Sequence, residues 1–392
     1  MGEYKGMRWL KCDLQMQTPA DGGHWQGEPI GDNAEEAAKA FADACKETGL
    51  DVIGITDHNF LSKDFIPLVV NAFKDIEQET GHRTVVFPGF EFEAAGVGKG
   101  VHVLCLFEPS SDLNALDAII TECGIGYPRV QNGQLVKSDK NLKDILKTVQ
   151  DQHGGVVILP HAMSDDGIFD NAAISEWLQQ DQFTNPELLA VEVPKPVHRM
   201  NENWQKLFRS GQDCQPEWKR IRPIATVMSS DNKKLIDHTD EDRPKANSIG
   251  YRYSWIKMSD PSIESLRQAF LDHESRIILP EDVVGDISPN ERQRHPRVES
   301  ITIKNAAFLA DQEIYLSPNL NCVIGGRGSG KSTLLEYLRI LLGKESESDI
   351  DRSTRDRINR IRGTLSSGNP EISVAWKSGD GVEDEIVWAD GG

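Results

Sequence analysis

The chain has no pair of cysteines at C-x-x-C spacing: its six, Cys12, Cys45, Cys105, Cys123, Cys214 and Cys322, are scattered along 392 residues. That excludes a thiolate zinc ribbon and argues against a disulfide framework, leaving small core residues in a reducing compartment. There is no apolar run of bilayer-spanning length, and Met1-Gly2-Glu3-Tyr4-Lys5-Gly6 has neither an apolar signal core nor the sixth-position hydroxyl that accompanies acylation. The expectation is a cytoplasmic protein with no membrane partner. Positive charge is scarce too: 43 Lys and Arg against 62 Asp and Glu leave a formal charge of -19. A generally basic nucleic-acid surface is excluded, so a DNA or RNA substrate must be met by a local basic patch or through metal ions. No internal repeat and no low-complexity tract interrupts the chain.

What is present begins with a regular alternation. From residue 7 to 280, short apolar runs alternate with helical patterns, the signature of an α/β domain with a largely parallel sheet. Met7 to Leu14, Asp51 to Thr56, Thr84 to Phe87, Val101 to Phe107, Gly155 to Leu159, Leu188 to Val193 and Ile224 to Met228 read as strands. Helices are expected from Asp32-Asn33 to Gly49, from Ile66 to Gly81, over Asn141 to His153 and over Ile263 to His273. So many cycles suggest a closed barrel rather than an open sheet. Residues 281–296, rich in Asp, Glu, Arg and Pro, read as a linker between a first domain over 1–280 and a second over 297–392.

The second domain carries Gly325-Gly326-Arg327-Gly328-Ser329-Gly330-Lys331-Ser332, the full G-x-x-x-x-G-K-[ST] phosphate-loop pattern. Leu320 to Ile324 before it reads as a buried strand, and Thr333 to Leu342 after it as an apolar helix closed by Gly343. In that context glycines let backbone N–H groups wrap phosphates, Lys331 reaches the β- and γ-phosphates and Ser332 holds Mg²⁺, so ATP with Mg²⁺ is the expected ligand. Arg297 to Lys304 alternates with period two and is expected to pair with Asp311 to Leu316. Asp349 to Ile361 reads as an exposed Arg-rich helix. Ile386 to Asp390 imitates a Mg²⁺-holding strand end, yet it pairs more naturally as a hairpin with Ile372 to Trp376, and no catalytic Glu follows. Without that acid and without a signature loop, this stretch should bind nucleotide better than it hydrolyses it. The missing lobe is expected from a longer polypeptide or from a second chain, making the working form at least a dimer.

In the first domain, polar residues fall at strand ends, where an α/β barrel places its chemistry. Asp57-His58 closes one strand, Pro88-Gly89-Phe90-Glu91 extends another, His161 follows a third, Ser230-Asp231 a fourth, and His102 opens its own. Imidazoles and carboxylates converging from several strands are what a divalent metal site needs.

These motifs carry a resemblance. Asp13-Leu14-Gln15-Met16-Gln17-Thr18, Ile55-Thr56-Asp57-His58, Pro88-Gly89-Phe90-Glu91, Val101-His102-Val103, Leu159-Pro160-His161 and Ser230-Asp231 resemble the ordered motifs of the PHP (polymerase and histidinol phosphatase) family. The resemblance implies a distorted (β/α)7 barrel binding up to three metal ions (Mn, Zn, Fe or Mg) and hydrolysing phosphoesters. It implies that Glu91, His102 and His161 complete one metal position, that Glu91 bridges to a second ion with Asp231, and that Asp21 and His58 serve a third. Glu91, His161, Asp231 and Lys233 would be the catalytic set. The chain departs from the family's D-L-H-x-H by carrying Gln15 and Gln17, and from its S-D-x-H by carrying Lys233, so one site looks intact and two weakened. Gln15 and Gln17 would offer amide oxygens that favour Mn²⁺ or Mg²⁺, and His24 a replacement nitrogen. Lys233, Lys195 and Arg199 lie on segments that follow barrel strands and suit substrate phosphates. Gly325 to Thr333 resemble the nucleotide site in the N-terminal part of a P-loop ATPase of SMC or ABC type. The fusion resembles TrlF-type PHP-ATPase proteins, which implies a nuclease gated by an ATPase in nucleic-acid repair or anti-phage defence, or else a catalytically silent barrel serving as scaffold or sensor.

Overall fold

The computed structural model describes the chain except for residues 1–5, 95–99, 170–173, 240–242, 283–284, 293–294, 307, 343–350, 366–368 and 389–392, and the side chain of Arg357. Two compact units divide it, one over Arg8–Ser288 and one formed by the residues from Pro289 on, to which the N-terminal residues up to Met7 also belong.

The first unit starts with β1 (Arg8–Met16), α1 (Ala34–Glu47), β2 (Val52–Ile55), α2 (Ile66–Thr80), β3 (Val85–Ala94) and β4 (Val101–Leu106). It continues through α3 (Leu113–Glu122), a small hairpin of β5 (Val130–Gln131) and β6 (Gln134–Leu135), α4 (Leu142–Leu146), β7 (Val156–Leu159), α5 (Glu176–Thr184) and β8 (Ala190–Glu192). Then come α6 (Glu202–Arg209), β9 (Ala225–Val227), β10 (Ser254–Met258), α7 (Ile263–Leu271), α8 (His273–Arg276) and β11 (Ile277–Ile278). Several of these helices start where a side chain satisfies a free N–H group of the first turn: Asn33, Asp112, Asn141, Asn201 and Ser262 each accept from the backbone of the turn they open. Gly81, left-handed, ends α2 as its sequence predicts. The segment expected to be helical from Asn141 to His153 instead divides into α4 and a wider π-turn over Lys147–Gln152.

Nine strands form one sheet in the order β11-β10-β1-β2-β3-β4-β7-β8-β9. The expectation of a largely parallel sheet is corrected here: β1-β2, β2-β3, β7-β8 and β8-β9 are parallel, whereas β3-β4, β4-β7, β1-β10 and β10-β11 are antiparallel. The reason is local. Only six residues separate the end of β3 at Ala94 from the start of β4 at Val101, too few for the helix-sized crossover that returns a chain parallel. β10, which the pattern of apolar runs passes over, pairs with β1 in the register Leu10↔Ile256. The sheet is nearly closed. Ser254 Oγ, at the start of β10, donates to Met228 O at 3.0 Å and accepts from Met228 N at 2.8 Å, and a bridge joins Met16 to Asn232. Leu14, Val52, Phe87, Leu106, Ile158, Ala190, Val227 and Ile256, one set from nearly every barrel strand, form a single buried cluster with Leu266 and Phe270 of α7. A larger cluster, including Phe41, Val69, Phe73 and Ile119, seats the outer helices.

The second unit has β12 (Arg297–Lys304), β13 (Gln312–Tyr315), α9 (Lys331–Leu341), α10 (Arg352–Gly363), β14 (Glu371–Lys377) and β15 (Glu383–Trp388), with an antiparallel sheet ordered β13-β12-β14-β15. Both expected pairings occur, Ile301↔Ile314 and Val374↔Ile386. Ile301, Ile303, Leu334, Tyr337, Ile372 and Val374 make its core. One expectation fails: Leu320 to Ile324 is not a strand, and Leu320 and Ile324 are 85% and 90% exposed. An apolar run becomes a buried strand only with neighbours on both edges, and none of the four antiparallel strands takes it. Gly343, Asp349 and Asp390, to which sequence reasoning gives a helix end, a helix start and a strand end, lie outside the described residues.

Candidate metal centre and phosphate loop

The parallel strands deliver their side chains to one end of the barrel, and antiparallel β4 begins at that same end, which is why His102 reaches it from the start of a strand. Glu91, wholly buried in β3, is the hub. His102 Nδ1 lies 2.7 Å from Glu91 Oε1, His161 Nε2 3.4 Å from the same oxygen, and His58 Nε2 3.9 Å from Oε2. The β1–β2 register slips between Asp13 and Met16, and in that irregular stretch Gln15 turns its Nε2 to Glu91 Oε2 at 2.8 Å. Against the cost of burial, His58, His102 and His161 hold the Glu91 carboxyl well below the usual range. In return, despite their own burial, Glu91 draws the His58 imidazole up to about 8 and His161 up to about 9.

Asp21, in the loop after β1, orients this group from outside. Its Oδ2 lies 2.7 Å from His58 Nδ1 and accepts from the His58 backbone at 3.0 Å, so Nδ1 carries the proton and Nε2 faces Glu91. His24 stacks on His58 with ring centroids 3.7 Å apart and approaches Asp21 at 3.1 Å. Three residues here take left-handed backbone: Asn59 beside His58, His161 itself and Asp231, with φ of 59°, 32° and 47°. Such conformations cost about 1–3 kcal/mol each and persist only where surroundings enforce them. Around His161 the enforcer is Gly167: a Cβ there would stand 2.4 Å from the His161 carbonyl oxygen.

The donor set fits a divalent ion. Ligand atoms of His58, Glu91 and His102 lie within 4.8 Å of one another, as do those of Asp21, His24 and His58. Neutral nitrogens with one carboxylate suit Zn, Mn or Fe, and such an ion supplies Lewis acidity and a more acidic water. The structure thus groups His58 both with Asp21, as the resemblance implies, and with Glu91 and His102. Asp231, after β9, stands beside this group, its Oδ1 3.5 Å from Gln15 Nε2 and its Oδ2 3.7 Å from Lys233 Nζ. Burial, together with the Glu91 charge, pushes the Asp231 carboxyl up against the pull of Lys233. Gln17 is fully buried and neither of its amide atoms has a partner. Of the three cations expected to hold phosphates, Lys233 stands beside Asp231, Lys195 is exposed and Arg199 is tied to Glu281.

Sequence reasoning missed Glu192. It is buried at the end of β8, where burial pushes its carboxyl well above the usual range despite His161, and an acid inside the apolar run Val191-Glu192-Val193 was the available signal. It also gave no role to Asp13, whose Oδ1 accepts from Ser230 N at 3.1 Å and whose burial raises its carboxyl to about 7. Asp57 likewise is raised to about 7 by burial and is bonded to Thr18 and Ser62, a structural clamp on the β1 exit.

In the second unit, Gly330 caps α9 with φ of 88° and Gly328 has φ of 83°, so the loop curls into the helix N-terminus as a phosphate cradle requires. Arg327, Ser329 and Ser332 are exposed, Gly325 and Gly326 are exposed before them, and Thr333 is buried. Lys331 Nζ turns onto the loop itself, donating to Gly325 O at 2.8 Å and Gly326 O at 2.6 Å.

Residues 300–390 match the sequence model of a family described as an AAA domain, and the C-terminal region is accordingly an AAA domain. Sorting nexin-4 of Candida glabrata is 22% identical over 220 residues, which are 53% of this chain and 45% of that protein, so the chain spans less than half of its length. Among solved structures, a candidate metal-dependent phosphoesterase from Bifidobacterium adolescentis is 13% identical, with 56% of this chain and 86% of that one covered at a TM-score of 0.33. An amidohydrolase from Chromobacterium violaceum, solved with sulfate and no metal, is 13% identical, with 69% and 98% covered at a TM-score of 0.36. At such scores the barrel assignment rests on the strand order and closure described above.

Proposed function

We propose that this chain is a metal-dependent phosphoesterase, a nuclease, whose barrel is gated by ATP bound in the C-terminal AAA domain. The observation that supports it is Glu91, fully buried with three imidazoles directed at it from the β2 exit, the start of β4 and the β7 exit. A buried carboxylate ringed by imidazoles serves a core poorly and a cation well. The ion would be held by Glu91, His58, His102 and His161. This chain's own residues do the rest: Asp21 fixes the His58 tautomer, the His161 turn aims its imidazole, and Lys233 meets substrate phosphate. The sequence resemblance supports nucleic acid as substrate and repair or anti-phage defence as setting, and a dimer formed through the ATPase follows from the same resemblance. A second reading, a silent barrel acting as scaffold or sensor, is favoured by Gln15 and Lys233 lying against the carboxylates.

Elemental analysis separates the two. Full-length protein, as purified or after Mn²⁺ incubation, is expected to hold Mn, Fe or Zn stoichiometrically and a Glu91→Ala/His161→Ala variant to lose it; absence of metal from both selects the scaffold. Screening single-stranded and structured DNA and RNA against small phosphomonoesters then tests the nuclease assignment.

A further inference from the structure

The site has two chemically unlike halves. One is the set of imidazoles, His102 and His161 at Glu91 Oε1 and His58 at Oε2 3.9 Å away, all able to give a lone pair to a cation. The other is the set of donors that meets Glu91 Oε2 and Asp231. Two carboxylate oxygens face the Gln15 amide, 2.8 Å and 3.5 Å away, which obliges its nitrogen to point at them. The Lys233 ammonium stands 3.7 Å from the remaining Asp231 oxygen. A metal ion between Glu91 and Asp231 needs both carboxylates free to face it, and there they meet the Gln15 N–H bonds and the Lys233 charge instead, so that position is unsuited to a second ion.

Lys233 is also held in place. Its N–H donates to Asn247 O at 2.7 Å, and its carbonyl accepts from Gln26 N at 2.6 Å and Gly27 N at 3.2 Å. The preceding Asn232 is buried, donates from its side chain to Gln17 O at 3.1 Å and bridges to Met16. The backbone is thus pinned between β1 and the β9 exit, while the side chain stays 26% exposed and open to an anion. An ammonium neutralises phosphate oxygen as a point charge and donates to it at the same time.

We propose that the barrel binds a single divalent ion, in its imidazole half, and that Lys233, steadied by Asp231, takes the place of a second ion by holding a non-bridging oxygen of the substrate phosphate. This rests on the phosphoesterase reading, and deepens it by naming which phosphate contact is made by the chain itself.

The test counts ions on full-length protein by equilibrium dialysis against Mn²⁺ with elemental analysis. Wild type is expected to saturate at one ion, and a Gln15→His/Gln17→His/Lys233→His variant at two. Two ions on wild type overturn this inference and leave the phosphoesterase reading standing; none overturns that reading instead. One ion on both proteins shows that these three residues do not exclude the second. Should the triple variant fail to fold, Lys233→Met serves: it is expected to keep the ion and to bind orthophosphate about tenfold more weakly by calorimetry. Unchanged orthophosphate affinity, or loss of the ion, overturns the role given to Lys233.

Discussion

The barrel end and the phosphate loop are built in opposite ways. In the barrel, Glu91 touches groups from β1, the β2 exit, β4 and the β7 exit, residues distant in sequence and brought together by the fold. In the C-terminal unit, Gly325 to Lys331 is one short segment, and among the described residues Lys331 bonds to carbonyls and a hydroxyl of that same segment. In the first site the charges of Asp21, Glu91 and Asp231 already face partners before any ligand arrives. The second is completed by its ligand: a phosphate must draw the ammonium off Gly325 and Gly326. A long-range site fails when any one strand is disturbed, whereas a local one fails only through its own residues.

The largest effect that would break this contrast is at its hub. Glu91→Gln removes the charge on which three imidazoles converge, and metal affinity measured by dialysis is expected to fall by more than about 100-fold. A variant that still binds stoichiometrically would show that the imidazoles alone make the site. Next comes Lys331→Ala, expected to weaken binding of a fluorescent ATP analogue by about 10- to 100-fold, the loss of one or two charge-assisted hydrogen bonds. Barrel metal content should not change; if it does, the loop is not the self-contained element it looks. Asp21→Asn sharpens the comparison at a finer level. The amide holds His58 less firmly, so a roughly tenfold loss of metal affinity is expected with the fold intact, and an undiminished affinity would remove Asp21 from the site.

How much of this was legible depended on whether a signal was local. The phosphate loop, the caps at Asn33 and Gly81, and the hairpin of β14 and β15 were readable because each is written in a few adjacent residues. The positions of His58, Glu91, His102 and His161 were readable through motif order. What stayed hidden was pairing. β10 sits in Ser254-Trp255-Ile256-Lys257-Met258, whose mixed polarity suits a strand beside β1 but does not announce one. Glu192 is a lone acid in a short apolar run, and only the closed sheet shows that it faces His161 and Asp231. Leu320 to Ile324 erred in the other direction: its apolar sequence is that of a core strand, and burial depends on neighbours that a window of residues cannot reveal.

The smallest expected effect tests whether closure of the barrel is what positions its site. Ser254 Oγ both donates to and accepts from Met228, the only side-chain hydroxyl bond between the β9 exit and β10 among the described residues. Ser254→Ala leaves a buried N–H and carbonyl of Met228 without that partner, which costs about 1–3 kcal/mol. In urea the midpoint should fall with an unchanged slope, since no additional surface is exposed in the folded state. Metal affinity should move by less than about threefold, because Asp13 still holds Ser230, and Asn232 still bridges to Met16, on the Asp231 side of the gap. A drop as large as that of Asp21→Asn would mean that the serine, rather than the Asp13 and Asn232 contacts, sets the position of Asp231 and Lys233.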